Sequence, residues 1–460
     1  MPQDPKPRAL KKIKTGLVAR GLSLAKITAG AGASLAAQKV ASLLRTPQEK
    51  QEAWQEYLKS QATNFSEEVG ELKGSLMKAG QMLSVYGEYF FPPEVNQIFK
   101  RLQNETPPVE WARIQEILSS QENGEVFQEL EIEPTALAGA SLGQVHRARI
   151  KSTGETLVLK IQYPGVERAI ESDLKALKSF ITFMKVLPAE GPLDALMLEM
   201  KEMLLQETDY RREVELMEEY RRKLAQDSRF VIPQIHARYC SDKVIAMSYE
   251  RGLKADDPVI QSLSQERRNR LASNFLDLYF REIFEWHFVQ TDPHLGNYRL
   301  RMDPAGHDRI VLFDFGATRK FSDAFFHTYG AMIRGALTQS EEFEKASLQL
   351  GFIRDQDDPK LLEIFRSFCQ QTVEPFGPGP YDWKKSDLPK RLTDLGIRIL
   401  KEFPLRPPPR EIVFLDRKTA GVFIFLSVLG ARFEARPLLM KYLDQLPPLP
   451  VSRGHDSSNP

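Results

Sequence analysis

Apolar side chains recur in alternating steps of three and four through Val69, Leu72, Leu76, Ala79, Leu83, Tyr86 and Phe90. That spacing lines one face of an α-helix, and Asn64 with Glu67 is spaced as a capping box, so the pattern predicts an amphipathic helix over 64–90. The period then changes. After a Gly-containing loop beginning at Leu137, Gln144 to Ile150 and Thr156 to Ile161 read as the two strands of a hairpin around a Ser-Thr-Gly-Glu turn. A second strand pair is expected around Val231 and Val244 to Met247, one long charged helix over 194–226, and mostly helical structure from 259 onward. A small sheet with a long helix, followed by a larger helical part, is a two-lobed α+β arrangement with room for a cleft.

Length and composition agree with this picture. A chain of 460 residues favours two lobes plus accessory segments, and 42% hydrophobic with 27% charged residues argues against disorder, collagen or a multi-span membrane protein. Lys+Arg 63 against Asp+Glu 62 leaves no general basic signature, so no nucleic-acid partner is expected. The balance is uneven, however. Lys6, Arg8, Lys11, Lys12, Lys14, Arg20, Lys26, Lys39 and Arg45 face only Asp4 in the first 45 residues, so the remainder is net acidic. Such an arm suits a transit peptide, a solvated extension or a helix on an anionic membrane surface. Lys26 and Lys39 interrupt the Ala/Gly/Ser-rich stretch from Leu22 to Leu44, and the apolar stretch from Gly421 to Ala431 is short and bounded by charges, so no transmembrane helix is predicted. Two cysteines, Cys240 and Cys369, supply neither a disulfide framework nor a zinc cage, which points to a reducing compartment, cytoplasmic or an organelle matrix.

The chemistry concentrates in Asp292-Pro-His-Leu-Gly-Asn297 and, after the short apolar strand Ile310 to Phe313, in Asp314-Phe-Gly316. An Asp, an Asn five positions on, and then Asp-Phe-Gly is the spacing with which protein kinases place a catalytic carboxylate and two metal ligands. Mg²⁺ takes hard oxygen donors, which Asn297 and Asp314 would supply, while Asp292 would orient an attacking hydroxyl or water. A phosphate site also needs a cation, and Lys160 near the end of the second hairpin strand is placed as the strand lysine of kinases is. On the expected long helix, Asp209 and Glu213 form an i, i+4 like-charge pair that Lys160 would relieve, with Glu207 about a third of a turn round from Glu213. His294 has two readings, a loop-bracing imidazole or a phosphate contact.

Lys78-Ala-Gly-Gln81, Ala138-Gly-Ala-Ser-Leu-Gly-Gln-Val-His146, Lys160-Ile-Gln-Tyr-Pro-Gly165, Glu207-Thr-Asp-Tyr-Arg-Arg-Glu213, Thr291 to Asn297 and Asp314-Phe-Gly316 resemble, in order, the signatures of the UbiB/ADCK (aarF-domain) atypical protein-kinase-like family, and Leu415-Asp-Arg-Lys-Thr-Ala-Gly421 resembles it more weakly. The resemblance implies an α+β, two-lobed protein-kinase-like fold with a small antiparallel-sheet N-lobe, a helical C-lobe and an N-terminal helical extension over the cleft. It implies a basic arm at 1–50, the extension at 51–130, the N-lobe at 131–250, the C-lobe at 251–445 and a tail at 446–460. The site it implies has Asp292, Lys160 and Glu213 as catalytic residues and Asn297 and Asp314 as metal ligands. Ala138, Gly139, Ala140, Ser141, Gly143 and Gln144 would form the nucleotide-covering turn, and Met247 with Tyr249 would hold the adenine through backbone groups. Lys78 and Gln81 would meet Glu207 and Asp209 as a regulatory contact, and Lys78, about 100° off its helix's apolar stripe, is not required by the core.

Members of that family are regarded as ATPases or unorthodox kinases that support ubiquinone or other isoprenoid-lipid biosynthesis at membranes. The resemblance therefore implies ATP or ADP with Mg²⁺ as cofactors, and quinone-pathway enzymes or an isoprenoid lipid as partners. The extra helices would occupy the place of a peptide substrate. This chain departs from the pattern at Gly139, where the loop is usually Ala, at Gln290, where His is common, at Leu295, where Pro is usual, and at Ser248, where a Glu often begins the hinge. Two other functions fit the same motifs: a phosphotransferase acting on a protein or small hydroxyl substrate, and a non-catalytic, nucleotide-gated scaffold.

Overall fold

The computed structural model describes residues 78–80, 83, 109–121, 124–140, 142–183, 192–403, 410–447 and 449. The basic arm, Gln81, Ser141, most of the helix expected over 64–90 and nearly all of the tail lie outside them. The chain divides into two compact units, Met1–Arg222 with Pro233–Glu250, and Lys223–Ile232 with Arg251–Pro460.

The first unit is built on an antiparallel sheet. Strands β1 (Leu130–Ile132), β2 (Ala138–Ala140), β3 (Gly143–Ile150), β4 (Thr156–Gln162) and β6 (Val244–Ser248) run in the order β1-β3-β4-β6, with β2 also paired to β3. The β3–β4 hairpin closes through Gly154, whose φ of 75° is a conformation that a side chain disfavours. Strand alternation decides what each face of β4 does. Leu157, Leu159 and Ile161 enter a core with Ala148, Val244, Ala246 and the Ile114, Ile117 and Leu118 face of helix α1 (Trp111–Ser119), while Val158, Lys160 and Gln162 occupy the other face.

Two expectations are corrected here. The single helix over 194–226 is two helices, α3 (Pro192–Thr208) and α4 (Tyr210–Lys223), which follow α2 (Val166–Phe183). The break falls at Asp209, whose Oδ1 accepts the Arg212 N–H at 3.0 Å and so caps α4 instead of propagating the helix. Asp209 and Glu213 are therefore not like charges on a common helix face, and the relative angle inferred for Glu207 and Glu213 does not apply. The second correction concerns Val231 and 244–247. They do not pair with each other, because β6 pairs antiparallel with β4, while β5 (Phe230–Val231) belongs to the second unit and pairs parallel with β9.

The second unit is mostly helical. Helix α5 (Gln265–Phe280) passes into a π-helical turn, Arg281–Glu285, followed by β7 (Phe288–Gln290), β8 (Tyr298–Arg301), β9 (Arg309–Leu312) and β10 (Thr318–Lys320). With β5 these strands form two small sheets, β10-β7 and β5-β9-β8, and Tyr381–Asp382 pairs antiparallel with Arg432–Phe433 in a third. Helices α6 (Asp323–Thr338), α7 (Glu342–Gln349), α8 (Pro359–Thr372), α9 (Leu388–Glu402), α10 (Arg410–Val428) and α11 (Arg436–Leu443) complete it. The expected apolar segment 421–431 supplies Val422, Phe425, Leu426, Leu429 and Ala431 to the core. Phe425 stacks on Phe275 with centroids 4.0 Å apart, and both meet the Tyr298 ring edge-on, which clamps the first residue of β8. Among the described residues no helix is long and apolar enough to cross a membrane.

Candidate functional site

In the first unit the charged face of β4 meets the two helices. Lys160 Nζ lies 2.6 Å from Glu213 Oε1, with both side chains largely buried, and 5.3 Å from the centre of the Tyr210 ring. Lys78 Nζ lies 2.8 Å from Glu207 Oε1, also with little exposure on either side. Burial makes each pair mutually dependent, since removing one partner strands the other's charge. Asp209 sits between these pairs in sequence and serves as the α4 cap.

The residues of the Ala-rich turn divide by role. Ala138, Gly139 and Ala140 form β2, and a Cβ built on Gly139 would meet nothing within 4 Å, so an alanine fits there without displacement. At Gly143 a Cβ would fall 2.2 Å from the Ile161 carbonyl oxygen, so close strand approach demands this glycine. Gln144 is fully buried and committed. Its Oε1 accepts the Val109 N–H at 2.8 Å, and its Nε2 contacts the Val109 carbonyl and, at 2.8 Å, His146 Nε2. The Glu133 carbonyl, 2.8 Å from His146 Nδ1, can only accept, which puts a proton on Nδ1, and Nε2 must accept from the Gln144 amide, which leaves the imidazole neutral. Burial also holds the His146 pKa below its ordinary value. Met247 is in register with Val158 and bridges to Ile235. The N–H groups of Ser248 and Tyr249 donate to the Gln234 and Thr156 carbonyls, so these two are not available as backbone donors to an adenine edge. The Tyr249 ring instead stacks under the Arg147 guanidinium at 4.7 Å.

In the second unit two loops are tied together. The Asp292–Asn297 loop joins β7 to β8, and Asp314–Gly316 joins β9 to β10. Pairing of Tyr298 with Leu312, extended by the Phe313 N–H to the Asn297 carbonyl at 3.1 Å, sets Asn297 beside the start of the Asp314 turn. The Gln290 amide, almost fully buried, donates to the Asp292 carbonyl at 2.8 Å and to the Asp314 carbonyl at 3.3 Å. One side chain thus bonds both loops. Asn297 Nδ2 donates to the Asp292 carbonyl at 3.0 Å, which aims the amide oxygen the other way. His294 braces the loop, its Nδ1 accepting the Gly296 N–H at 3.0 Å. Asp314 Oδ1 accepts the Gly316 N–H at 3.1 Å, a turn within its own motif.

A hard donor pair of one amide and one carboxylate oxygen suits Mg²⁺, which keeps most of its shell for phosphate and water. Among the described residues there is no group of three or more His, Cys, Asp and Glu side chains that could hold a metal ion. Burial, reinforced by Glu282, Asp292 and Asp314, pushes the Tyr298 hydroxyl well above its ordinary pKa.

Three residues in this site carry no role in the reading of the sequence, although Arg417 and Gly421 lie in the Leu415–Gly421 segment noted there. Gln290 stands out only as a departure. Arg417 Nη2 donates to Asp292 Oδ1 at 2.6 Å. Gly421 packs so closely on Pro293 that a Cβ would lie 2.2 Å from the proline Cγ. The available signal for the last two is an Arg-Lys doublet and a glycine inside an otherwise apolar helix, where charges are rare unless paired.

Comparison with known proteins follows the same residues. The ABC1 atypical kinase-like domain matches residues 101–345. The mitochondrial atypical kinase COQ8B of Rattus norvegicus is 32% identical over 375 residues, covering 80% of this chain and 69% of the relative. The mitochondrial atypical kinase COQ8 of Schizosaccharomyces pombe is 28% identical over 373 residues, covering 80% of this chain and 60% of the relative. This chain therefore spans less than two thirds of the yeast protein's length. Among solved structures, Rv3197 of Mycobacterium tuberculosis in complex with erythromycin is similar with a TM-score of 0.58 and 25% identity, covering 85% of this chain and 98% of that one. With a two-unit α+β fold, ordered kinase-like motifs and a match over more than half its length, the chain belongs to the ABC1 atypical kinase-like family, the UbiB group related to the COQ8 and ADCK atypical kinases.

Proposed function

We propose that this protein is a Mg²⁺-dependent, nucleotide-binding atypical kinase or ATPase that supports ubiquinone or other isoprenoid-lipid biosynthesis at a membrane surface. The observation that carries the reading is the bonding of the Asp292 and Asp314 loops to one buried amide, that of Gln290. Phosphoryl transfer has a loose transition state and is accelerated mainly by positioning and charge stabilisation, so loops locked to each other are what the chemistry needs. Asn297 and Asp314 would hold Mg²⁺, which supplies charge neutralisation for the β- and γ-phosphates. Asp292 would orient the attacking water or hydroxyl. Lys160, steered by Glu213 at 2.6 Å, would pair with phosphate oxygens, and Ala138 to Ala140 would cover the nucleotide.

The Lys78–Glu207 pair supports a regulatory contact between the Lys-x-Gly-Gln and Glu-x-Asp motifs. The resemblance to the family implies that the extra N-terminal helices take the place of a peptide substrate, which favours hydrolysis or transfer to a small or lipid acceptor over ordinary protein phosphorylation. The names of the relatives add atypical kinases from mitochondria to the support.

Thermal denaturation with ATP or ADP, each with and without Mg²⁺, tests the reading. A nucleotide at about 100 times its Kd adds roughly 2.7 kcal/mol and raises Tm by several degrees. Asp314→Asn is expected to abolish the Mg²⁺-dependent part. If neither nucleotide shifts Tm in the wild-type protein, the proposal fails.

A further inference from the structure

We infer that Arg417 is a positioning residue for phosphoryl transfer, holding the Asp292 carboxylate by its Oδ1 from helix α10. The inference rests on the function proposed above and adds to it a residue from outside both kinase-like loops.

The two side chains are 15% and 13% exposed, and the guanidinium nitrogen is 2.6 Å from Asp292 Oδ1. A charge-assisted contact of that length in a largely dry setting is shorter and stronger than a neutral hydrogen bond. The helix on which Arg417 rides has little freedom to shift. Lys418 Nζ, the next residue, lies 2.7 Å from Glu282 Oε2 in the π-helical turn, with both side chains 2% exposed. Thr419 Oγ1 is 2.6 Å from the Tyr279 hydroxyl, and Gly421 lies directly against Pro293, the neighbour of Asp292.

Successive residues of α10 therefore register the helix against α5, the π-helical turn and the Asp292 loop. The loop in turn is held by its main chain, since the Asp292 carbonyl takes donors from both Gln290 and Asn297. Amides fix the backbone of Asp292, and Arg417 fixes its side chain. A carboxylate that aims a water or hydroxyl at phosphorus must not rotate, because misplacement by about 1 Å costs roughly 100-fold in rate. Lysine supplies the charge but not the directed N–H donor of a rigid, planar guanidinium.

The test uses the full chain and reads nucleotide turnover, Mg²⁺–nucleotide affinity and Tm for Arg417→Met, Arg417→Lys, Asp292→Asn and the Asp292→Asn/Arg417→Met double variant. Expected is a roughly 10- to 100-fold fall in kcat for Arg417→Met with Kd for Mg²⁺–nucleotide changed by no more than about twofold. Arg417→Lys should recover part of the loss, added guanidinium ion should raise the rate of Arg417→Met, and the double variant should be no slower than Asp292→Asn alone. Wild-type turnover in Arg417→Met, equal losses of affinity and rate, or multiplicative losses in the double variant would overturn the inference while leaving the proposed function standing. A wild-type protein that neither binds nor turns over nucleotide would overturn both.

Discussion

At the scale of single residues, this protein spends its buried polar groups on fixing main chain rather than on contacts visible from a motif. Gln144 and His146 form one continuous donor–acceptor line, from the Val109 N–H through the amide and the imidazole to the Glu133 carbonyl. The line holds only while His146 is neutral. Burial lowers its folded pKa below the unfolded value of about 6.5, so the unfolded chain takes up the proton first as pH falls. The contribution to stability is complete above the unfolded pKa and is lost progressively below it. Tm measured between about pH 7 and 5 is therefore expected to fall less steeply in His146→Gln than in the wild type; parallel slopes would contradict this. Gly421 makes a second residue-level case. Gly421→Ala places a Cβ 2.2 Å from Pro293 Cγ and 2.3 Å from its Cβ. Overpacking of this kind costs about 1–3 kcal/mol, and denaturant titration should show that loss together with slower nucleotide turnover. An unchanged midpoint would refute the packing argument.

At the scale of elements, the informative event is the break between α3 and α4. No Gly or Pro marks the break, and charged residues flank it on both sides, so periodicity alone reads one helix. Asp209 ends that helix because its short carboxylate competes for the Arg212 N–H, and Glu213 then occupies the first turn of a new helix instead of the middle of an old one. Asp209→Ala is expected to cost about 1 kcal/mol, within a 0.5–2 range, by urea denaturation, even with no nucleotide present. If the loss appears only with nucleotide, the cap is not what Asp209 provides. Legibility followed length and period in the strands too. The β3–β4 hairpin was readable because both strands are long, alternate cleanly and flank a turn that ends in glycine. The two-residue β5 was misassigned because its partner, β9, lies about eighty positions away and pairs in parallel, which no local pattern encodes.

At the scale of the whole molecule, charge is the property that sequence carries best. Nine basic side chains against one acid in the first 45 residues sit on a chain whose formal net charge is only +1. Near anionic lipid each basic group is worth about 1 kcal/mol, and the attraction decays within a Debye length of about 8 Å at physiological salt. Sedimentation with anionic vesicles is expected to be strong at low salt, weak at high salt and nearly lost on removing residues 1–45. Equal sedimentation by the truncated protein would remove the membrane surface from the proposed function.

The sequence by itself determined which family the chain belongs to, because motif order and spacing are one-dimensional properties. It also placed Lys160 near the end of a strand, and the structure sets it on the face opposite Leu157, Leu159 and Ile161, as strand alternation requires. Only the tertiary structure decided who holds these residues still. Arg417 lies 125 positions from Asp292, and Gln290 bonds carbonyls 2 and 24 positions away. Such pairings are set by the packing of α10 and by the meeting of two β-loops, and packing joins residues by shape and hydrogen-bond need, not by distance along the chain.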